Sequence, residues 1–215
     1  MMCVVCVSNL SNIDLRGGGS VKIAQVIGIC APGGSEIFAK NLSKELKQAG
    51  HEVEVWVLSG VVDADARNVA LLKFEQSYVK DLEECGIKVR FVGKRPRKDW
   101  QKTKFALTTF FRNFKPDTVH CHLENVAFHT SRSIAGKVPI VQTIHSVVIY
   151  HPYVQKFYLL EKLAANVAIS RKVYTIISEL LGPRARIYTI YNGIPVSNFL
   201  RKRIINENVR NIVAV

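Results

Sequence analysis

The chain has 215 residues, of which 48% are hydrophobic, and thirty Lys and Arg against seventeen Asp and Glu give a formal net charge of +13. That length holds one ample α/β domain and the apolar content excludes global disorder, while no apolar run approaches the roughly 20 residues that span a bilayer. The cationic excess implies an anionic partner (nucleic acid, an anionic membrane surface or a phosphorylated ligand) or else a basic proteome.

The chain opens on "MMCVVCV", which is short, lacks a basic n-region and has no small-residue cleavage pattern, so it is not read as a signal peptide. Residues 1–20, ending in "RGGGS", read as a loose extension. Cys3, Cys6, Cys30, Cys85 and Cys121 are odd in number and scattered, and the one C-x-x-C has no second pair. Reduced cytosolic thiols fit this pattern better than a zinc site, so no metal ligands are assigned.

From residue 21 strands and helices alternate. "VKIAQVIGI" (21–29) is an apolar, buried strand. A helix follows over about 35–49, with Phe38, Leu42, Leu46 and Ala49 on one face and Gly50 as its stop. "EVEVWVL" is the second strand, followed by a loop through "SGVVDADARN" and a helix that Gly86 ends. "IKVRFVG" is the third strand, and "DWQKTKFALTTFFRNF" is a helix closed by "KPD". Strand four is "TVHCHL", then a helix over 124–136, strand five "PIVQTIH", and a helix over 152–164 with Pro152 at its start. "NVAIS", the helix "RKVYTIISELLG" and "RIYTIYNGI" complete seven strands. The pattern predicts an α/β fold: a doubly wound, mostly parallel, Rossmann-like sheet over residues 21–195. Ligands of such sheets bind beyond the carboxyl ends of the strands, near the switch point. Residues 196–215 read as a connector followed by an orphan first strand, "VRNIVAV", of a further domain.

Three groups of residues carry chemistry. Gly33 and Gly34 join the first strand to the first helix, where unpaired N–H groups and the helix dipole favour an anion. Neither G-x-G-x-x-G nor G-x-x-x-x-G-K-[ST] is matched, and Ser59 stands where a dinucleotide enzyme carries an acid, so a tight turn is an equal reading. His122 and His145 end adjacent strands four and five at the ligand edge, and two such residues beside a Gly-Gly helix start point to a site. His120, two residues deeper on the same face, reads as structural. The third group is the basic run Lys94, Arg95, Arg97, Lys98, Lys102 and Lys104 around Trp100. It suits an anionic membrane surface or a lipid-phosphate acceptor, or else is a solvated face. No nucleic-acid motif accompanies it, and no G-x-S-x-G elbow supports hydrolysis.

Six motifs in order resemble the N-terminal domain of family 4 retaining glycosyltransferases, which have the two-domain GT-B fold: "GGSE", "LSKELKQAGHEVEVW", "KPDTVHCHL", "PIVQTIHS", "AISRKV" and "IYNGIPVSNF". The resemblance covers residues 21–200. It implies that Gly33, Gly34 and Ser35 lie against the diphosphate of a nucleotide-sugar donor. It makes His145, in the T-x-H position, the residue that contacts the transferred sugar near the reacting carbon. His122, Glu124 and Ser146 would line the acceptor cleft, and Asn192 and Gly193 would shape the turn into the hinge. Pro195 replaces an aspartate of the family's "NG(I/V)D" element and leaves that contact without a counterpart. No metal and no cofactor is implied, because the helix dipole and basic side chains offset the leaving diphosphate.

The expected function is therefore the acceptor-side half of a glycosyltransferase acting with retention on a cell-envelope or lipid-linked glycan acceptor. The reading places it in the cytoplasm, peripheral on the inner face of the membrane, with this chain alone inactive because the donor-binding domain is missing. The alternative is a truncated Rossmann-like binding module without turnover.

Overall fold

The computed structural model describes residues 19–63 and 68–193. The expectations for the N-terminal extension, for Pro195 and for the connector and last strand over 196–215 lie outside the described residues.

The elements in chain order are β1 (Lys22–Ile29), α1 (Gly34–Gln48), β2 (Glu52–Ser59), α2 (Val69–Glu83), β3 (Lys88–Phe91), α3 (Trp100–Phe114), β4 (Thr118–His122) and α4 (Glu124–Ile134). They continue with β5 (Ile140–Ile144), α5, β6 (Ala165–Ala168), α6 (Arg171–Leu181) and β7 (Ile187–Thr189). The α5 segment is one α turn, Pro152–Val154, running into a π turn, Gln155–Leu159. All strand pairs are parallel, in the order β3-β2-β1-β4-β5-β6-β7. The α/β doubly wound sheet is thus as the alternation of elements predicts. β1 and β2 are buried along most of their length because both of their faces are covered. One face packs Ile23, Ile27, Val53, Val55 and Val57 against Leu42 and Leu46 of α1 and Tyr78 and Leu82 of α2. The other packs Val26, Trp56, Val119 and Cys121 against Leu107 of α3, Val126 and Ile134 of α4 and Leu159 of α5.

Local chemistry sets the helix ends. After α1, Gly50 takes φ 91°, its N–H donates to the Lys47 carbonyl, and the His51 N–H donates to that of Leu46. This double bond is the Schellman closure, which a side chain with a Cβ resists at that φ. Two elements differ from expectation. β7 is three residues rather than a strand over 186–194. The helix expected over 152–164 widens into its π turn where the buried Gln155 amide accepts from Gln142 Nε2 at 3.2 Å and donates to Asn166 Oδ1 at 3.0 Å. A widened turn accommodates one residue out of α register, and here that residue joins amides of β5 and β6.

Leu46 is wholly buried between α1 and the sheet. Leu46→Ala should lower unfolding free energy by about 2–5 kcal/mol, measured by urea titration, and a change below about 1 kcal/mol would mean that α1 does not anchor this core.

Candidate functional site

The direction of winding reverses at β1. The connections from β1 lead to β2 and β3, while β4 returns to the other side of β1. At such a switch point the helices leave on opposite faces and open a crevice beyond the strand ends. Gly33, the N-cap of α1, lies beyond the end of β1, and Phe38 of α1 packs on the histidines at the ends of β4 and β5.

His120 and His122 lie on the α1 side of β4 and are buried, His122 with 1% of its surface exposed. Its Nε2 is 2.8 Å from Gln25 Oε1 of β1 and its Nδ1 is 3.1 Å from His145 Nε2. The Phe38 ring of α1 sits edge-on to both, with centroid distances of 5.9 Å to His122 and 5.4 Å to His145. His145 is half-buried at the end of β5. His122 therefore does not line the cleft as expected. Phe38 and His145 cover it, and it holds His145 from below. His120 has the structural role assigned to it: its Nε2 is 2.7 Å from Thr143 Oγ1.

Burial keeps this cluster neutral, since charging an imidazole away from water is penalised. It pushes His145 down to about 4 from an ordinary 6.5. Burial, then the neighbouring His145, takes His120 to about 3. Burial, then His120 and His145, holds His122 well below its ordinary value.

Beside His145 a cavity of about 270 Å³ is lined by Leu123, Glu124, Gln142, Ser146, Tyr150 and His151 among others. Glu124, the first residue of α4, accepts from the backbone N–H of Tyr150 at 3.3 Å and of His151 at 3.2 Å, which ties down the loop after β5. Burial raises the Glu124 carboxyl pKa against these two bonds. Ser146 Oγ accepts from the Val148 N–H at 3.0 Å in the same loop. Leu123 enters α4 at φ 90°, a left-handed value that costs a non-glycine residue about 1–3 kcal/mol and concentrates at functional sites. Gln142 Oε1 is buried, lies on a cavity-lining residue and has no partner among the described residues.

The start of α1 is only partly open. A Cβ on Gly33 would collide with the Glu36 carboxylate, which folds back and accepts from Ser35 Oγ at 2.7 Å. A Cβ on Gly34 would meet nothing within 4 Å. Gly33 also closes a turn, its N–H donating to the Ala31 carbonyl at 2.8 Å. Gly33 thus serves a turn, and the space beside Gly34 is open.

The basic run is more tied down than its charge suggests. Arg95 makes a fork on Asp99, at 2.8 Å from Nε and from Nη2, and holds that carboxyl well below the usual range. Lys102 Nζ donates to the Gly93 carbonyl at 2.6 Å, and Lys94 Nζ to that of Arg95 at 3.1 Å. Trp100 leans on α4, with Phe128 at 5.8 Å, His129 at 5.2 Å and the Arg132 guanidinium over its ring at 5.2 Å. Arg97, Lys98 and Lys104 are exposed, and beside them Phe105 is 76% and Trp100 45% exposed. Asn192 and Gly193 are exposed after β7.

Among the described residues no group of three or more His, Cys, Asp or Glu side chains is placed to hold a metal ion. No helix among them is long and apolar enough to cross a membrane. Sequence reasoning missed Gln25 and Gln142, each a lone amide inside an apolar strand, and that interruption was the available signal.

The buried histidines give pH dependence a definite sign. Their folded pKa values lie below the unfolded one, so their contribution is complete above about 6.5 and is lost as pH falls toward about 4. Glu124, raised, acts oppositely, its contribution being present below 4.5 and lost as pH rises. His129 of α4 is likewise pushed down to about 4 by burial; with four histidines against one raised carboxyl, the urea midpoint should fall from about pH 7.5 to about pH 5, and His120→Gln should flatten the fall. A midpoint constant across that window would mean the histidines are hydrated.

Many solved structures share this fold, three of them as follows. Anabaena HepE, in complex with UDP and glucose, superposes with a TM-score of 0.62 at 15% identity, over 82% of this chain and 46% of that one. A glycosyltransferase from Rickettsia africae gives 0.63 at 14% identity, over 88% and 47%. The lipopolysaccharide outer core galactosyltransferase WaaB gives 0.55 at 17% identity, over 81% and 46%. The chain thus spans about half the length of each, matching one domain of the GT-B architecture. No curated protein matches it. The model of Glycosyltransferase Family 4 matches residues 32–198, from the turn before α1 past the end of β7. The chain belongs to glycosyltransferase family 4.

Proposed function

We propose that the chain is the acceptor-side domain of a retaining glycosyltransferase that moves a sugar from a nucleotide-sugar donor to a cell-envelope or lipid-linked acceptor. The reaction breaks the bond between the anomeric carbon and the diphosphate and forms one to an acceptor hydroxyl, whose proton leaves with the nucleotide diphosphate. Family membership supports sugar transfer in general. HepE's complex with UDP and glucose supports a UDP-sugar as donor class. WaaB's lipopolysaccharide substrate supports an envelope acceptor.

The observation that carries the reading is the neutral imidazole of His145 on the wall of the cavity, packed on Phe38 of the Gly-Gly helix. A neutral ring at that place hydrogen-bonds a sugar hydroxyl and tolerates positive charge developing at the reacting carbon, which a lysine would not. Glu124, Ser146 and Gln142 offer the acceptor further partners on the same cavity wall. Gly34 leaves room for the donor diphosphate at the start of α1. Charge on the leaving group is met by helix dipole and basic side chains, without a metal. A binding module without turnover is the second reading, favoured by the Glu36 carboxylate that already stands on the Gly33 side of the α1 start.

The isolated 215-residue chain should show no glycosyl transfer from UDP- or GDP-sugars, and turnover by it would overturn the assignment to one half of an enzyme. In a polypeptide that also carries a donor-binding domain, His145→Ala should lower kcat/KM about 10²-fold, or roughly 2–4 kcal/mol, with little change in Tm. A lower Tm at unchanged kcat/KM would give His145 a purely structural role.

We infer further that the protein works in the cytoplasm, peripheral on the anionic face of the membrane, through Arg97, Lys98, Lys104 and Phe105. These are exposed, whereas Arg95 and Lys102 are engaged in holding the loop. Charge reversal at Arg97, Lys98 and Lys104 should abolish salt-sensitive co-sedimentation with phosphatidylglycerol vesicles. Unchanged binding would reduce the segment to a solvated face.

A further inference from the structure

Three groups run in a line from the centre of β1 to the cavity: Gln25 Oε1, His122 and His145, joined at 2.8 Å and 3.1 Å. We propose that Gln25, acting through His122, fixes the tautomer of His145, so that His145 holds its proton on Nε2 and keeps Nδ1 as a bare hydrogen-bond acceptor for a ligand hydroxyl.

The argument is one of counting protons. An amide oxygen only accepts, so the His122 Nε2 that faces Gln25 Oε1 carries a proton. A neutral imidazole has a single N–H, and His122 is enclosed by β1, β4, Phe38 and His145, where a second proton would be an unpaired buried charge. His122 Nδ1 is therefore a lone pair. The contact at 3.1 Å then requires the proton of His145 to lie on Nε2. The remaining nitrogen of His145, Nδ1, has no hydrogen-bond partner among the described residues. Gln25 is wholly buried, and its own Nε2 has no partner among the described residues. The hydrogen bond to His122 is thus the one this amide makes with its side chain among them.

The consequence concerns selectivity. A bare Nδ1 accepts from a hydroxyl and repels a phosphate oxygen, which has no proton to give. Were the relay reversed, the same ring would donate from Nδ1 and favour an anion. Gln25 and His122 are positioning residues in this scheme, and His145 is the group that meets the ligand. The identity of that hydroxyl as a sugar's rests on the glycosyl-transfer reading, but the tautomer does not.

The test is imidazole nitrogen NMR on the 15N-histidine-labelled 215-residue chain, near neutral pH and without sugar nucleotide. Both His122 and His145 should be protonated on Nε2, with a scalar coupling across the hydrogen bond between His145 Nε2 and His122 Nδ1. A His145 ring protonated on Nδ1 overturns the proposal. Gln25→Met keeps the volume and removes the acceptor. His122 Nε2–H would then be a buried donor without a partner, which costs more than a buried lone pair. Its proton should move to Nδ1, donate to His145 Nε2 and drive His145 to the Nδ1–H form. A His145 tautomer unchanged by Gln25→Met removes Gln25 from the relay, and the unsubstituted spectrum decides the matter if that variant does not fold. Because these spectra need no turnover, a failed transfer assay counts against the glycosyl-transfer reading alone, and a reversed tautomer counts against the relay alone.

Discussion

The whole site depends on one topological constraint. A right-handed crossover from β1 to β2 places α1 on one face, and the return of the chain to β4 places α3 and α4 on the other. β1 and β4 are therefore neighbours whose following segments diverge, and no backbone fills the space beyond their ends. Everything at the crevice is brought there by that divergence: the Gly33–Gly34 start of α1, Leu123 and Glu124 at the start of α4, and the histidines at the ends of β4 and β5. Residues from Gln25 to His145 come within hydrogen-bonding distance of one another through the sheet register rather than through any local sequence relation.

Packing then decides what those side chains can be. Phe38 lies edge-on over His122 and His145, so the crevice floor is apolar on the α1 side. An imidazolium under that ring has no carboxylate partner among the described residues, and desolvation favours the neutral forms. Buried polar groups must then satisfy one another with single N–H groups, which is why a line of three residues has so few proton arrangements. The loop after β5 is fixed on the other side by the Glu124 carboxylate across two backbone N–H groups. Bonds to an ionised carboxylate exceed ordinary neutral ones.

The fold was legible because its signal repeats. Seven apolar segments alternate with helices whose stops are Gly50, Gly86 and the "KPD" turn, and each reading supports the next. His145 and His122 were legible as a pair because a strand's period of two puts both on one face at the strand ends. The period gives the face but not the depth. Whether His122 meets solvent is decided by Phe38, which the helical pattern assigns simply to an apolar stripe. Gln25 was lost in "VKIAQVIGI" because its partner is 97 residues away in sequence. The π turn at Gln155 was invisible for the same reason, since the amides that draw it inward belong to β5 and β6. Trp100 looked like a free aromatic anchor beside a basic run, and only the packing of α3 on α4 places Phe128, His129 and Arg132 around it.

The start of α1 shows how a motif's physics can be divided between neighbours. The dipole and unpaired N–H groups of a helix start favour any anion, and in this chain one is built in. The Glu36 carboxylate, buried and folded back on the Gly33 side, already stands in that field with the Ser35 hydroxyl donating to it. A diphosphate brought within about 4 Å of that carboxylate would meet a repulsion of about 4 kcal/mol per unit charge at an effective dielectric near 20. That exceeds the roughly 0.3–1 kcal/mol a helix end typically offers an anion. Any anion approaching α1 would therefore be confined to the Gly34 side, where a Cβ would meet nothing, or would require Glu36 to swing out. Of the two, the first needs no rearrangement of a buried group. Gly34, the first residue of the helix, is not among the positive-φ glycines, so no backbone strain demands a glycine there, and the space beside it is open to a side chain or to an anion alike.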